Sequence, residues 1–196
     1  MASSVKTIVG KPISGKSIFY FIQSVHNKIG EAALMPAHRT SGDLTLGGDF
    51  IDEQSQQGRI VEKSNDEHEV ELAQYFVPTD PSINVVREAQ RNGDSVKVWQ
   101  VIVDPSVAKG SGAEKTYPAL FGYGKISELS VPSDIGDLVE VSYTLSVVGS
   151  MQSGMFPLTD EDIKILNQIY DYQNPGETTG DYDNIQKTDS TPAESH

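Results

Sequence analysis

The sequence has no cysteine, a single tryptophan and no apolar run approaching the roughly 18 to 20 residues that a membrane span needs. Without cysteine there is no disulfide, no thiolate metal site and no cysteine nucleophile, and nothing calls for an oxidising compartment. The opening MASSVKTIVGK lacks the long apolar segment of a secretion signal, so cytoplasmic synthesis is expected and no membrane span. Basic residues are scarce too, with 15 Lys and Arg against 28 Asp and Glu, a formal charge of -13. That balance works against any affinity gained by neutralising phosphates and releasing counterions. A sequence-reading DNA binder is therefore not expected, although a wall that repels phosphates lets DNA slide past without sticking.

What is present suits one domain, because 196 residues at 37% apolar content can bury a single good core. The clearest element is residues 139–147, where Val139, Val141, Tyr143, Leu145 and Val147 alternate with Glu140, Ser142, Thr144 and Ser146. Alternation of period two is the mark of a half-buried strand. β-branched and aromatic enrichment predicts further strands over 17–25, 69–76 and 96–103, and one or two over 117–131 with Gly122 and Gly124 as bends or bulges. Short strands are expected near 5–9, 32–39 and 59–63. Two helices interrupt the strands. One starts at Asp80 or Ser82 with Pro81 in its first turn, carries Ile83, Val86 and Ala89 on one face and stops at Asn92 and Gly93. The other has Thr159 as cap, Asp162 three residues on, and a stripe of Ile163, Leu166, Ile169 and Tyr170. The fold class read from this pattern is mainly β (α+β).

Two segments look irregular. Residues 41–58 combine four glycines with Asp, Gln and Ser and few apolar side chains, which predicts a long polar excursion between strands. Residues 174–196 hold too few apolar groups to offset their ordering entropy and are expected to be an acidic tail or arm. The domain is placed at 1–173, with an N-terminal arm over 1–14.

Gly10 to Ser17 reads GKPISGKS and fits the P-loop pattern, in which Lys16 would reach the β and γ phosphates and Ser17 would bind magnesium. Asp104, ending the apolar run VWQVIVD, could stand on the magnesium side. The mechanism needs a helix directly after the loop, whereas Ile18, Phe19, Tyr20, Phe21 and Ile22 form a strand-forming run, and two helices cannot supply the crossovers of a parallel sheet. A nucleotide-binding P-loop protein is kept as an alternative on the motif alone. A carbohydrate-binding or adhesion β-sandwich is the other, on the strength of Trp99 and eight tyrosines, although Trp99 inside an apolar strand is expected in the core. His26, His38, His68 and His196 lack the spacing of a helical zinc site, and Asp181, Asp183 and Asn184 lack the Gly and Glu of a calcium loop. No cofactor, metal or catalytic residue is assigned, and an enzyme is not expected.

The order of the later elements adds a resemblance. A short helix over 81–92 is followed by SVKVWQVIVD, then TYPALFGYGKIS, a polar turn at 131–137, the alternating strand closing on Val148, Gly149 and Ser150, a turn at Gly154, and Pro157, Leu158 and Thr159 leading into an acidic helix. Over residues 12–172 this resembles the major tail protein, or tail tube protein, of long-tailed bacteriophages with non-contractile tails. An early strand opening on Gly15, Lys16, Ser17 and Ile18 fits the same pattern. The resemblance implies a β-sandwich of two sheets with a flanking helix, six copies in a ring around a central channel, and rings stacked through a long inter-strand loop and terminal arms. It implies a structural virion component, assembled in the host cytoplasm, whose partners are its own copies, other tail proteins at the tube ends and double-stranded DNA passing through the lumen. Tubes of contractile tails and secretion systems are a neighbouring reading. On this basis Asp43, Leu44, Leu46, Asp49, Phe50, Asp52 and Glu53 are expected in the stacking loop. Ser142, Thr144 and Ser146 are the candidate lumen strand.

Overall fold

The structure, a computed structural model, describes residues 10–110 and 114–167. The strands are β1 (Ile18–Ser24), β2 (Arg39–Ser55), β3 (Gly58–Tyr75), β4 (Ser95–Ile102), β5 (Glu114–Ser130), β6 (Glu140–Val147) and β7 (Gln152–Thr159). Helix α1 (Pro81–Asn92) lies between β3 and β4, and α2 (Asp160–Asn167) follows β7. All strand pairs are antiparallel, in the order β1-β4-β5-β6-β3-β2, with β7 added to β5. The mainly β class with a flanking helix is as expected, and the two expected sheets are two halves of one continuous sheet.

The halves meet on β5. One edge of this strand pairs with β4 over residues 119–125; the other pairs with β7 over 114–121 and with β6 over 124–130. The sheet curls until its first and last strands approach each other. Arg39, at the start of β2, donates from Nη2 to the Ile18 carbonyl of β1 at 2.7 Å, and its guanidinium lies 5.1 Å from the Tyr20 ring centre. A side chain at Gly42 would enter this seam, since a Cβ there would sit 2.7 Å from Tyr20 Cε2 and 3.1 Å from a Leu72 methyl. Gly42→Val is accordingly expected to lower stability by about 2 kcal/mol, the usual order for overpacking a filled core, read from the urea unfolding midpoint.

Alternation gives β1 and β4 a core on each face. Tyr20, Ile22, Val96 and Val98 join Val70, Leu72, Val141, Tyr143 and Leu145 across the curled sheet, with Ile83, Val86 and Ala89 of α1 filling the space between. Phe21 and Val101 point the other way, to Tyr117, Leu158 and the partly buried Trp99, Phe156, Ile163 and Leu166. Helix α1 carries the expected caps: Asp80 accepts from the Ser82 N–H at 2.8 Å, and Gly93 ends the helix at a left-handed φ of 73°. Helix α2 is capped reciprocally, Thr159 N–H donating to Asp162 at 2.8 Å and Asp162 N–H to Thr159 Oγ1 at 3.1 Å. Ile169, Tyr170, the strand expected near 5–9 and the tail over 174–196 lie outside the described residues.

Three local expectations need correction. The segment 41–58 is not an irregular excursion but nearly the whole of β2 and its turn into β3. Residues 59–63 and 69–76 are not separate strands, because β3 runs through most of both, and 32–39 contributes a lone bridge in which Leu34 and Ile22 exchange N–H bonds at 2.8 Å. Gly122 and Gly124 are not bulges. They pair in regular register with Val98 and Val96 and are small because Val147 and Leu145 lie over them; the irregularity falls between Ile126 and Glu128.

Candidate assembly surfaces

Three surfaces follow from this curled sheet: a projecting arm, a polar face and a pair of unpaired edges. The arm arises because β3 pairs with β6 only from Glu69 onward, so that from Gly58 to His68 its sole partner among the described residues is β2. At about 3.3 Å per residue this two-stranded ribbon extends roughly 35 Å. Its root is tied down where the Met151 N–H donates to His68 Nδ1 at 2.9 Å, and a bulge between Gly48 and Phe50 sets its direction. Gly48 is required there, with φ of 153° and a Cβ position only 2.8 Å from the Asn65 carbonyl oxygen.

Among the described residues, nothing packs on either face of the arm beyond its root. Register puts Phe50, Asp52 and Gln54 of β2 beside Lys63, Val61 and Arg59 of β3 on one face, and Ile51 and Glu53 beside Glu62 and Ile60 on the other. Each face thus carries a diagonal apolar pair, Phe50 with Val61 and Ile51 with Ile60, all exposed. Asp52 accepts from two of the three Arg59 guanidinium nitrogens, Nε at 2.7 Å and Nη2, which holds its carboxyl below the usual range, and Lys63 pairs with Asp66. Of the residues expected in a stacking loop, Asp49, Phe50, Asp52 and Glu53 lie on this arm and Leu46 at its root, exposed. Asp43 and Leu44 do not. Leu44 packs against the main core, and Asp43 sits on the sheet face described next.

The polar face belongs to the half-sheet β2-β3-β6-β5. Because Val141, Tyr143 and Leu145 point inward, Ser142, Thr144 and Ser146 point outward, beside Ala73, Glu71 and Glu69 of β3 and Ser130, Glu128 and Lys125 of β5. Ser41, Asp43 and Thr45 of β2 continue the row. The expected lumen strand is therefore the centre of a broad polar surface on which acids outnumber bases. Pattern reading found β6 but missed its acidic neighbours, because their strands could be aligned beside it only once the register was known.

The two borders of this half-sheet are unpaired among the described residues. One is the outer edge of β2; the other is the β5 edge past Lys125, where β4 has ended. Exposed backbone donors and acceptors along such edges invite another strand.

The motif GKPISGKS has a different setting. Gly15–Ser17 is one 3-10 turn, Ser14 accepting from the Lys16 N–H at 3.4 Å, and Ile18 begins a strand where a phosphate site needs a helix. The nucleotide alternative has no architecture to support it. Trp99 is no stacking platform either, for it is half-buried, with its ring centre 5.1 Å from Phe121 and 6.0 Å from Phe156. Among the described residues no group of His, Asp and Glu could hold a metal ion and no helix is long and apolar enough to cross a membrane.

Comparison with known proteins agrees with this architecture. The family model described as phage tail tube protein matches residues 12–153. The tail tube protein gp17.1* of Bacillus phage SPP1 is 30% identical over 171 residues, covering 87% of this chain; the chain spans 62% of the length of that curated relative. The SPP1 tail tube structure, from solid-state NMR and cryo-EM, superposes with a TM-score of 0.61 at 27% identity, covering 86% of this chain and 95% of that one. The tail of an empty GTA particle, refined with C6 helical symmetry, shares the fold at a TM-score of 0.54 and 13% identity, over 72% of this chain and 98% of its own. A match over most of the described residues, in a mainly antiparallel fold with an unsupported nucleotide motif, places the chain in the phage tail tube protein family, a structural and not an enzymatic family.

Proposed function

We propose that this chain is the repeating subunit of a phage tail tube in which copies close into rings, rings stack, and the channel conducts DNA during infection. The observation that carries this reading is the half-sheet β2-β3-β6-β5, with one face in the core, the other polar, and both borders unpaired among the described residues. Pairing the β2 edge of one copy with the β5 edge of the next removes both edges and builds a barrel. The contact is heterologous, so rotation closes it into a ring. Six copies per ring is supported by the C6 symmetry of the GTA tail that shares the fold.

In such a ring the polar face lines the channel. Ser142, Thr144 and Ser146 then meet water, and Asp43, Glu69, Glu71 and Glu128 present negative charge to DNA phosphates, so the duplex passes without adhering. The arm reaches the neighbouring ring, with Leu46, Asp49, Phe50, Asp52 and Glu53 in or beside the stacking contact. Other tail proteins complete the tube ends, and assembly takes place in the host cytoplasm before the tail joins the virion.

Negative-stain microscopy of concentrated protein is expected to show rings or tubes; strictly monomeric protein, with no tubes in particles, removes the reading. The lining is tested separately, helped by the absence of native cysteine. Ser142→Cys is expected to react readily with a bulky maleimide polymer as monomer and at least tenfold more slowly in tubes, where the reagent must enter through the ends. Equal rates in both states would place β6 outside the channel.

A further inference from the structure

The two ends of the half-sheet differ in a way that fixes how copies meet. β3 runs from the arm, at Gly58, to Tyr75, which pairs with Glu140 at the start of β6. The turn over 131–139 that joins β5 to β6 therefore lies at the pole opposite the arm. This turn exposes Ile135 at 106%, Leu138 at 76% and Val131 at 42%, together with Asp134 and Asp137. Such apolar exposure on a hairpin turn is unusual for a free surface.

We infer that the Phe50 and Val61 face of the arm docks on the 131–138 turn of a second copy, head to tail. The inference rests on the reading that rings stack. Charge selects the face: Phe50 and Val61 share it with Arg59 and Lys63, each paired with an acid, Asp52 and Asp66, so its charges balance, whereas Ile51 and Ile60 share theirs with the unbalanced Glu53 and Glu62. The balanced side, with two cations that can turn to new partners, can meet Asp134 and Asp137, and the acidic side would meet them with like charge. Symmetry selects the partner surface. An arm docking on another arm is an isologous contact that ends at a pair of rings, but a stack that continues needs complementary surfaces at opposite poles.

The cysteine-free background makes the contact readable. Assembled protein carrying both Val61→Cys and Ile135→Cys, treated with a short bis-maleimide, is expected to give a covalent ladder well beyond the dimer. A mixture of the two single variants should stop at dimers, and Val61→Cys alone should give none. Dimers from Val61→Cys alone, or tubes of the double variant without a ladder, overturn the inference while leaving the tube reading intact. Absence of tubes from the unmodified chain overturns both. A second set of variants guards against cysteines that disturb growth. Lys63→Glu should block tube growth in a folded chain, and adding Asp134→Lys with Asp137→Lys should restore it; failure of that restoration also counts against the contact.

Discussion

Replacing residues 48–66 with an Asn-Gly turn between Gly47 and Glu67 is expected to leave a folded protein that no longer grows tubes. Gly47 and Glu67 face each other in the β2-β3 register, so a two-residue turn of this composition closes the hairpin in its existing geometry. Little is lost from the fold, since Phe50, Ile51, Ile60 and Val61 are exposed and contribute nothing to either core, and His68 keeps its bond to the Met151 N–H. The urea midpoint should move by the equivalent of less than about 1 kcal/mol, the range of surface changes. The edge of β2 within the half-sheet, from Arg39 to Gly47, and the edge of β5 are untouched, so rings should still form. Single rings without tubes, at unchanged stability, is the expected micrograph; tubes of normal length would show that stacking uses another part of the chain.

Asp80→Ala is expected to destabilise the fold by about 3 kcal/mol, more than the loss of a helix cap alone. The carboxylate accepts from the Ser82 N–H at 2.8 Å and the Ala37 N–H at 3.2 Å, and from Gln74 Nε2 at 2.8 Å. Gln74 in turn accepts from the Tyr143 hydroxyl at 3.1 Å, and both side chains are wholly buried. Burial pushes the Tyr143 phenol well above its ordinary value, with Asp80 adding to it, so the hydroxyl stays a neutral donor. Truncation removes the cap, worth about 1 kcal/mol, and leaves the buried Gln74 amide only its longer bond to Ser82 Oγ at 3.3 Å, at a further ~1 to 3 kcal/mol. Asp80→Asn should lose about half as much. The cap carbonyl survives, and the Gln74 amide can turn over if the Tyr143 hydroxyl turns from donor to acceptor. Equal losses in Ala and Asn variants, by urea unfolding, would mean that the buried network contributes little beyond the charge.

Elements that pack on the chain's own core were readable from their residues. β6 alternates because one face is buried and the other is not, and α1 announces both ends through Asp80, Pro81 and Gly93. The arm was misread for the same reason. Phe50, Asp52 and Gln54 on one face and Ile51, Glu53 and Ser55 on the other give no apolar side, because neither face is buried by the described residues, and period-two reading is blind without burial. The glycines of residues 41–58 then looked like loop residues, although Gly42, in the seam with β1, and Gly48, in the arm, are there because a Cβ would strike Tyr20 or the Asn65 carbonyl. GKPISGKS misled in the opposite direction, since a short string carries no information about whether a helix follows. Of the candidate surfaces, Ser142, Thr144 and Ser146 were found from their own strand. Glu69, Glu71 and Glu128 joined them only through pairing between residues far apart in sequence, which no local pattern encodes.

The continuity of the sheet through β5 has a consequence for how the molecule yields. Two stacked sheets held only by side chains could part at their interface, one opening while the other persists. Here the same 17-residue strand is bonded to β4 and β7 along its first part and to β6 along its last, and both cores contact it. Opening either half strips hydrogen bonds from a strand the other half still needs, so the β5 amides bonded to β4, β6 and β7 exchange with solvent only on global unfolding, whereas those of the arm exchange by local fraying. A pull on the outer layer is carried along one backbone to the opposite edge of the sheet, and the subunit answers as a single stiff body.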